Sequence, residues 1–441
     1  MINMTGDVPN LSINNQTLEE CINISCCCPF LGGSSDGSVN DCTLPNGQKF
    51  QKAYRKELRM MSDEERDRLF KCIRKLKDSG EYDAIALLHR EAYDSGGAHG
   101  GPAFCLFHRE LTKRIELMIR KCDPDLYLPY WDSTLDGRLP QPKDSCLFTD
   151  KFLGSTDPSS NYVVDGPFTR WPTTEGKPNI SRTVGQMGGC FTDKEIEDVY
   201  KQTDIRNVLA YTVPYAGCNV TVNWDWIEYP HGYVHGFIGG DMGDARISAN
   251  DPCFYFLHCF VDFIFEGWRL RRQNRHQREN DYPPDIAPLQ NKDGLRNNYT
   301  DYMYEYAPRP NCSYEIPDCG SKYLFCDLSH GTPHCGAKAC LGGNCSGFTN
   351  GEEACFESVC IDDICVEENV NIKKAKTQSN TKSEEIKETT KPIEAYKTTN
   401  SLTNITKTSR ETCQTCHCLC TYSETFLIPK RSEGALNIVQ K

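Results

Sequence analysis

The 26 cysteines in this chain of 441 residues restrict its fold more than any other feature of the sequence. They are dense near both ends, from Cys21 to Cys42 and again from Cys312 to Cys365. Free thiols at this density are a liability, whereas disulfides persist in oxidising compartments and staple modules that lack a large core. The sequence therefore predicts a secreted protein with disulfide-bonded appendages, although the pairing cannot be read from the sequence.

Other features bear on location and partners. Asn-x-Ser/Thr triplets, such as those at Asn179, Asn311 and Asn404, agree with secretion. The opening stretch MINMTGDVPNLSINNQTLEE lacks the basic start and apolar run of a signal peptide, and we give the cysteines more weight. No window reaches the roughly 18 apolar residues of a membrane span, and the net charge of −12 argues against a nucleic-acid partner. We expect neither membrane nor nucleic acid as a partner, and the oligomeric state stays open.

Changes in composition divide the chain into five predicted segments. Helical periodicity and long Gly- and Pro-rich connections mark its largest part. A small cysteine module follows, and then a Lys-, Glu-, Thr- and Ser-rich stretch with too few apolar residues to order itself. The segments are a Cys-rich N-terminal segment 1–45, a helical domain 46–305, a Cys-rich module 306–365, a disordered linker 366–412 and a Cys-containing tail 413–441.

Helix signals are strongest in the 46–305 domain. Ser62 precedes three acidic residues, which is a favourable helix start, and Leu69, Ile73 and Leu76 continue at helical spacing. Further helices are predicted at 80–92, 102–121, 228–238 and 252–271.

Six of the ten histidines fall into two groups of three. The groups are His89, His99 and His108, and His231, His235 and His258. Residues i and i+4 share a helix face, so His231 and His235 can point at one metal ion. His99 precedes the predicted helix that holds His108. His89 and His258 each come from a separate predicted helix. Two triplets of neutral imidazoles suit copper, zinc, iron or nickel.

Each histidine taken singly has a simpler interpretation. His258 lies in the apolar run DPCFYFLHCFVDFIFEGW, where a buried core histidine is ordinary. A zinc-protease site needs Glu directly after the first histidine of His-x-x-x-His, and Gly232 occupies that position. Spacing alone leaves core packing and metal binding open. The other histidines lie in charged or Cys-rich contexts and are interpreted as surface residues: His276, His330, His334 and His417.

Several segments, in order, resemble the tyrosinase family of type-3 copper proteins, which also includes catechol oxidases and hemocyanins. AHGGPAFCLFHRELTKRIE resembles the copper A signature, and LPYWDS resembles the segment that follows it. HGYVH and SANDPCFYFLHCFVDFIFEGW resemble the two parts of copper B. YTDYMYEYAPRPNCSYEIPDCGSKYLFCD further resembles secreted tyrosinases of nematodes. The likeness covers roughly residues 50–330.

The resemblance implies a mainly α fold, in which an antiparallel four-helix bundle holds a dicopper centre, with long loops and small Cys-rich disulfide appendages. The 46–305 domain would then be the copper-binding domain, with two copper ions as cofactors. The first histidine triplet would bind copper A and the second copper B. Phenolic small molecules and dioxygen would be the partners of a secreted oxidoreductase that converts o-diphenols to o-quinones. The alternative is a hemocyanin-like dioxygen carrier that uses the same six histidines and is shielded by the 306–365 module.

Two residues beside the second triplet bear on the reaction. By resemblance, Glu228 matches the acid that orients a water to deprotonate the incoming phenol, which makes it a candidate general base. Its alternative is a solvated acid beside Tyr229. Gly232 stands where monophenol-hydroxylating relatives often have Asn, so hydroxylation of monophenols is expected less firmly than oxidation of o-diphenols.

Some positions depart from the family or allow two interpretations. Leu257 replaces a histidine that most relatives have beside the last copper B ligand. Asp262, one turn further on, is expected either to hold the local geometry by hydrogen bonding or to form a salt bridge. Arg109 is expected to make a structural ion pair. Cys105 and Cys259 are either free buried thiols or disulfide partners.

Overall fold

The computed structural model describes residues 17–212, 222–223, 226–282 and 293–368. The helices there are α1 (Ile24–Cys27), α2 (Asp63–Ser79), α3 (Glu81–Asp94), α4 (Ala103–Cys122), α5 (Asp193–Lys201), α6 (Ile205–Val208), α7 (Glu228–Ile238), α8 (Cys253–Arg272) and α9 (Arg275–Asn280). The strands are β1 (Ala53–Arg55), β2 (Tyr304–Tyr306), β3 (Leu324–Asp327), β4 (His334–Ala337), β5 (Val359–Ile361) and β6 (Ile364–Val366).

Helix α2 begins at the start signal seen in the sequence and ends at Gly80. The Ser62 side chain accepts a hydrogen bond from the Glu65 backbone N–H, and the Glu65 carboxylate accepts one from the Ser62 N–H. This reciprocal cap satisfies two amide groups that the first turn leaves unpaired. Gly80 ends the helix at φ 82°, a left-handed conformation that glycine adopts at little cost. Helix α3 then starts without a connecting loop.

Helices α4 and α8 form the buried centre of the helical region. Each begins directly after a proline, Pro102 and Pro252, whose missing N–H would have no helical acceptor at that position. The two helices pack against each other, and α2 and α3 also contact α4. A disulfide between Cys72 and Cys122 joins α2 to the end of α4.

A short parallel pairing closes this helical region. Strand β1, which precedes α2, pairs with β2, which follows α9, in the register Ala53 with Tyr304 and Arg55 with Tyr306. The pairing brings the Arg55 side chain and two tyrosines over the middle of α8. Residues more than two hundred positions apart in the chain thereby meet at one helix.

The Cys-rich module has two small antiparallel hairpins, β3 with β4 and β5 with β6. Four disulfides staple it: Cys312–Cys326, Cys319–Cys335, Cys345–Cys360 and Cys355–Cys365. Its own hydrophobic cluster includes Leu135 and Leu139 from the helical region. Most of the predicted linker and the whole predicted tail, residues 369–441, lie outside the described residues.

The predicted fold class, mainly α with disulfide-bonded appendages, is confirmed. Within the described residues, no helix combines the length and the apolar character needed to cross a membrane.

Candidate metal centre

The structure brings all six predicted histidines together in the interior. Four come from helices α3, α4 and α7, His99 comes from the loop before α4, and His258 comes from α8. None of them is more than 6% exposed. Within each triplet the candidate ligand atoms lie within 4.8 Å of one another. The local His-x-x-x-His spacing places two of the histidines together, and the packing of α4 against α8 brings His108 and His258 beside each other.

Backbone carbonyls orient three of the imidazoles. His108 Nδ1 donates to the Phe104 carbonyl at 2.8 Å. His231 Nδ1 donates to the Glu228 carbonyl at 2.7 Å, and His235 Nδ1 donates to the Met242 carbonyl at 2.7 Å. Because a carbonyl only accepts, the proton of each neutral ring lies on Nδ1 and the lone pair on Nε2. Such a bond fixes the tautomer and the direction of a metal-binding histidine.

The inward nitrogens have the arrangement that metal ions require. His89 and His99 approach through their Nε2 atoms at 3.0 Å, and His235 and His258 do so at 3.4 Å. Two imidazole nitrogens that bind one ion at about 2.0–2.1 Å with near-tetrahedral angles stand roughly 3.3 Å apart. Among the described residues, the buried Nε2 atoms of His108 and His231 have no hydrogen-bond partner. The donor set thus fits two metal ions, one for each triplet.

The electrostatic state of the imidazoles suits metal binding. Burial, followed by the neighbouring histidines, lowers the pKa of His89, His108 and His258 well below the ordinary value. Burial also lowers the pKa of His235 to about 4. A ligand must present a neutral nitrogen, so the site does not have to release protons from these rings near neutral pH.

Two phenylalanine rings pack against the histidine rings of the site. Phe104 and Phe254 each lie four residues before a ligand candidate on the same helix. The Phe104 ring lies 4.7 Å from both His108 and His231, and the Phe254 ring lies 4.1 Å from His258. The His108 and His258 rings stack at 4.0 Å between their centroids. The aromatic residues around His258 therefore form the apolar lining of the site.

Glu228 lies beside the first triplet and is 6% exposed. One carboxylate oxygen accepts the Gly100 backbone N–H at 2.5 Å and lies 3.6 Å from His99 Nδ1. The other accepts the Thr212 hydroxyl at 2.9 Å. The carboxylate is therefore buried rather than solvated, and it fixes the loop that carries His99. The roles of Gly100 and Thr212 depend on long-range contacts that the sequence pattern does not signal.

Asp262 forms ion pairs and does not support the neighbouring histidine. It accepts from Arg109 Nε at 2.6 Å and from the hydroxyls of Tyr304 and Tyr306, each at 2.7 Å. His258 Nδ1 has no partner among the described residues. Asp262 thus forms the expected salt bridge and also accepts two tyrosine hydrogen bonds, and none of these contacts reaches His258. The structural ion pair expected of Arg109 is present.

The structure also describes the other positions singled out from the sequence. Cys105 and Cys259 are buried free thiols rather than disulfide partners. Leu257 is fully buried in α8. A β-carbon added at Gly232 would meet open space, so a larger side chain fits beside His231.

The chain is similar in sequence to several known proteins. Residues 79–271 match the family model described as the common central domain of tyrosinase. A tyrosinase-like protein of Caenorhabditis elegans is 44% identical over 370 residues, which cover 80% of this chain and 52% of that protein. A tyrosinase of Streptomyces antibioticus is 26% identical over 250 residues, which cover 53% of this chain and 89% of that protein. A polyphenol oxidase structure from Thermothelomyces thermophila aligns at a TM-score of 0.45 and 18% identity, covering 60% of this chain and 90% of that one.

Two triads of buried histidines define the centre of a type-3 dicopper protein. The chain belongs to the tyrosinase family, whose common central domain it carries at residues 79–271. The chain spans about half the length of the nematode relative, 52%.

Proposed function

We propose that this protein is a secreted dicopper phenol oxidase, which oxidises o-diphenols to o-quinones while dioxygen is reduced to water. The convergence of six buried imidazoles carries the proposal, with His89, His99 and His108 assigned to copper A and His231, His235 and His258 to copper B. Imidazole nitrogens are suitable copper ligands. The family supports an oxidoreductase of the tyrosinase or catechol oxidase type.

The protein's own residues prepare the site for this reaction. When bound, the copper ions supply the dioxygen chemistry, and the protein supplies orientation and access. The hydrogen bonds from Nδ1 of His108, His231 and His235 to backbone carbonyls hold these rings with Nε2 directed into the site. Phe104 and Phe254 pack against the His231 and His258 rings and give the site an apolar wall.

Glu228 is the proposed proton acceptor for the phenol hydroxyl. A carboxylate has about four acceptor positions, and Gly100 and Thr212 occupy two of them. The remaining positions can accept a hydrogen bond from a substrate hydroxyl or a water. The same carboxylate holds the His99 loop, so its removal affects both proton transfer and ligand placement.

Secretion is supported by the cysteine chemistry. Seven disulfides join described residues, and disulfides persist in oxidising compartments. Asn311, in an Asn-x-Ser triplet, is exposed at the start of the Cys-rich module and accessible to glycosylation.

The position of the Cys-rich module disfavours the oxygen-carrier alternative. Tyr323 of this module bonds to Asp63 and Arg66 of α2, and its ring contacts Phe152. Among the described residues, no hydrogen bond, ion pair or ring contact joins the module to any of the six histidines. This placement of the module supports the oxidase over the carrier.

Copper content and quinone formation test the proposal together. Copper-loaded protein is expected to hold two copper ions per chain and to convert catechol and L-DOPA to coloured quinones, with L-tyrosine converted more slowly. Glu228→Gln keeps one side-chain oxygen that can accept the Gly100 N–H, so it is expected to hold the His99 loop, retain copper and lose oxidation rate. Asp67→Asn on the exposed face of α2 serves as the matched control. Two bound coppers with reversible dioxygen uptake and no quinone would support a carrier instead, and occupancy by zinc would contradict both functions.

A further inference from the structure

The tip of the β3–β4 hairpin gathers a carboxylate and two imidazoles outside the dicopper centre. Asp327 ends β3 and His334 begins β4, and the two are cross-strand partners. The connecting loop, residues 328–333, carries His330. Asp327 is only 1% exposed, whereas the side chains of His330 and His334 are 53% and 25% exposed. The sequence interpretation of these histidines as plain surface residues is thus incomplete, because both contact a buried acid.

The Asp327 carboxylate has a fixed direction. One oxygen accepts the backbone N–H groups of Ser329 and His330 at 2.9 and 3.1 Å. The other accepts His330 Nδ1 at 2.9 Å. Glu352 is the further acid at this loop, and it accepts the Leu328 backbone N–H and the Ser329 hydroxyl. Both acids are therefore held by the loop, and Asp327 faces the imidazoles.

His334 meets this carboxylate through the nitrogen that has no proton in the neutral ring. Its Nδ1 lies 2.8 Å from the Thr332 carbonyl, and because a carbonyl only accepts, Nδ1 carries the proton. Its Nε2 lies 3.3 Å from Asp327 Oδ2. In the neutral tautomer two lone pairs then face each other, which is unfavourable unless a cation lies between or beside them.

The hairpin is rigid at this point. Cys326, next to Asp327, is bonded to Cys312, and Cys335, next to His334, is bonded to Cys319. Cys326 pairs with Cys335 across the two strands, and Asp327 pairs with His334 in the next position. Metal sites gain affinity when their ligands are held in place before the ion binds.

We propose that Asp327 and His334 bind one divalent transition-metal ion, Zn²⁺ or Cu²⁺, with water completing the coordination. Imidazole nitrogen and carboxylate oxygen suit both ions. The half-exposed ring of His330 lies against the same carboxylate and can rotate to add a third ligand. This site shares no residue with the dicopper centre and does not depend on phenol oxidation.

The test uses the full chain loaded with its two coppers and titrated with Zn²⁺ at pH 7.5 by calorimetry. Wild type is expected to bind one more zinc ion than His334→Ala, or to bind it at least about 10-fold more tightly. His330→Ala is expected to weaken binding less. His276→Ala, which removes an exposed histidine from α9, is the matched control and should bind as wild type does. Unchanged disulfides and thermal unfolding in each variant show that the module has folded.

Identical isotherms for wild type and His334→Ala would overturn the proposal. A second result would also overturn it: wild-type protein takes up no additional zinc, and NMR shows that the His334 ring keeps its proton at pH values above the ordinary imidazole pKa. In that case a proton, and not a metal ion, would lie between His334 and Asp327. Zinc binding that weakens as the pH falls from 7.5 to 5.5 is the expected result, since His334 and His330 must be neutral to act as ligands.

Discussion

The helical region and the Cys-rich module solve the same problem, the ordering of polar side chains, in different ways. In the helical region the six histidines come from positions 89 to 258 and are held by helix packing, buried carbonyls and apolar rings. In the module each disulfide spans only 10 to 16 residues, and the strands have three or four residues. Distant packing can bury a site completely, whereas local cross-links hold a site that stays accessible to solvent.

The strongest test of this contrast is the removal of one proposed copper ligand from the buried site. His258→Ala is expected to reduce the copper content of the loaded protein from two ions towards one or none. Quinone formation from catechol should fall by at least about 100-fold, since even partners of metal ligands are worth 10–100-fold. Metal analysis and the catechol assay measure both effects. A variant that retained two coppers and full activity would show that His258 is a core histidine.

Loss of the buried ion network should destabilise the helical region without touching a ligand. Asp262→Asn removes one of the two buried carboxylates that pair with Arg109, Glu266 being the other, and the loss of a charged hydrogen-bond partner costs about 1.5–3 kcal/mol. Chemical denaturation should show this loss, with Asp67→Asn on exposed α2 within about 0.5 kcal/mol of wild type. An unchanged unfolding free energy for Asp262→Asn would mean that the network is not needed for stability.

Removal of one disulfide at a time tests whether the Cys-rich module and the helical region are stabilised independently. Replacing Cys345 and Cys360 together by alanine is expected to destabilise the module by about 2–4 kcal/mol, seen as faster hydrogen exchange in residues 340–366. Copper content should stay at two per chain. The same double replacement at Cys72 and Cys122, which joins α2 to α4, should instead speed exchange in the helical region. Copper loss in the first variant would show that the module supports the metal centre.

Acid should weaken the helical region through Glu266. Burial alone would raise its pKa, but Arg109 and Arg269 outweigh burial and lower it to about 2. Because the folded pKa lies below the unfolded value of about 4.3, the stabilisation is present above that value and is lost as the pH falls towards 2. We expect about 2 kcal/mol to be lost over this range in metal-free protein. Glu266→Gln should show a shallower decline in denaturation experiments, and an unchanged decline would exclude this group as its source.

The smallest expected effect concerns reaction preference. Gly232→Asn adds a side-chain amide into open space beside His231. The rate on L-tyrosine relative to L-DOPA is expected to rise by a few fold, on the order of 1 kcal/mol in relative barrier. Gly232→Ala, which adds bulk without an amide, is the control. Equal ratios in both variants would show that the amide does not assist the phenol.

The sequence predicted the parts of the molecule that depend on local spacing. Ser62 and the acidic residues after it mark the start of α2, and the predicted helices 102–121 and 252–271 agree with α4 and α8 to within one residue at each end. The two histidine triplets were also visible, because helical spacing places His231 and His235 on one face. Resemblance to the family then selected metal binding over core packing for His258.

Tertiary structure alone decided which distant groups meet. The partners of Asp262 include Tyr304 and Tyr306, which reach α8 only through the β1–β2 pairing, so the salt bridge could not be distinguished from support of His258 beforehand. The contact of His334 with Asp327 likewise depends on the register of a hairpin. Helix and cap signals act over a few residues, whereas these contacts are selected by the packing of the whole chain, which no local pattern records.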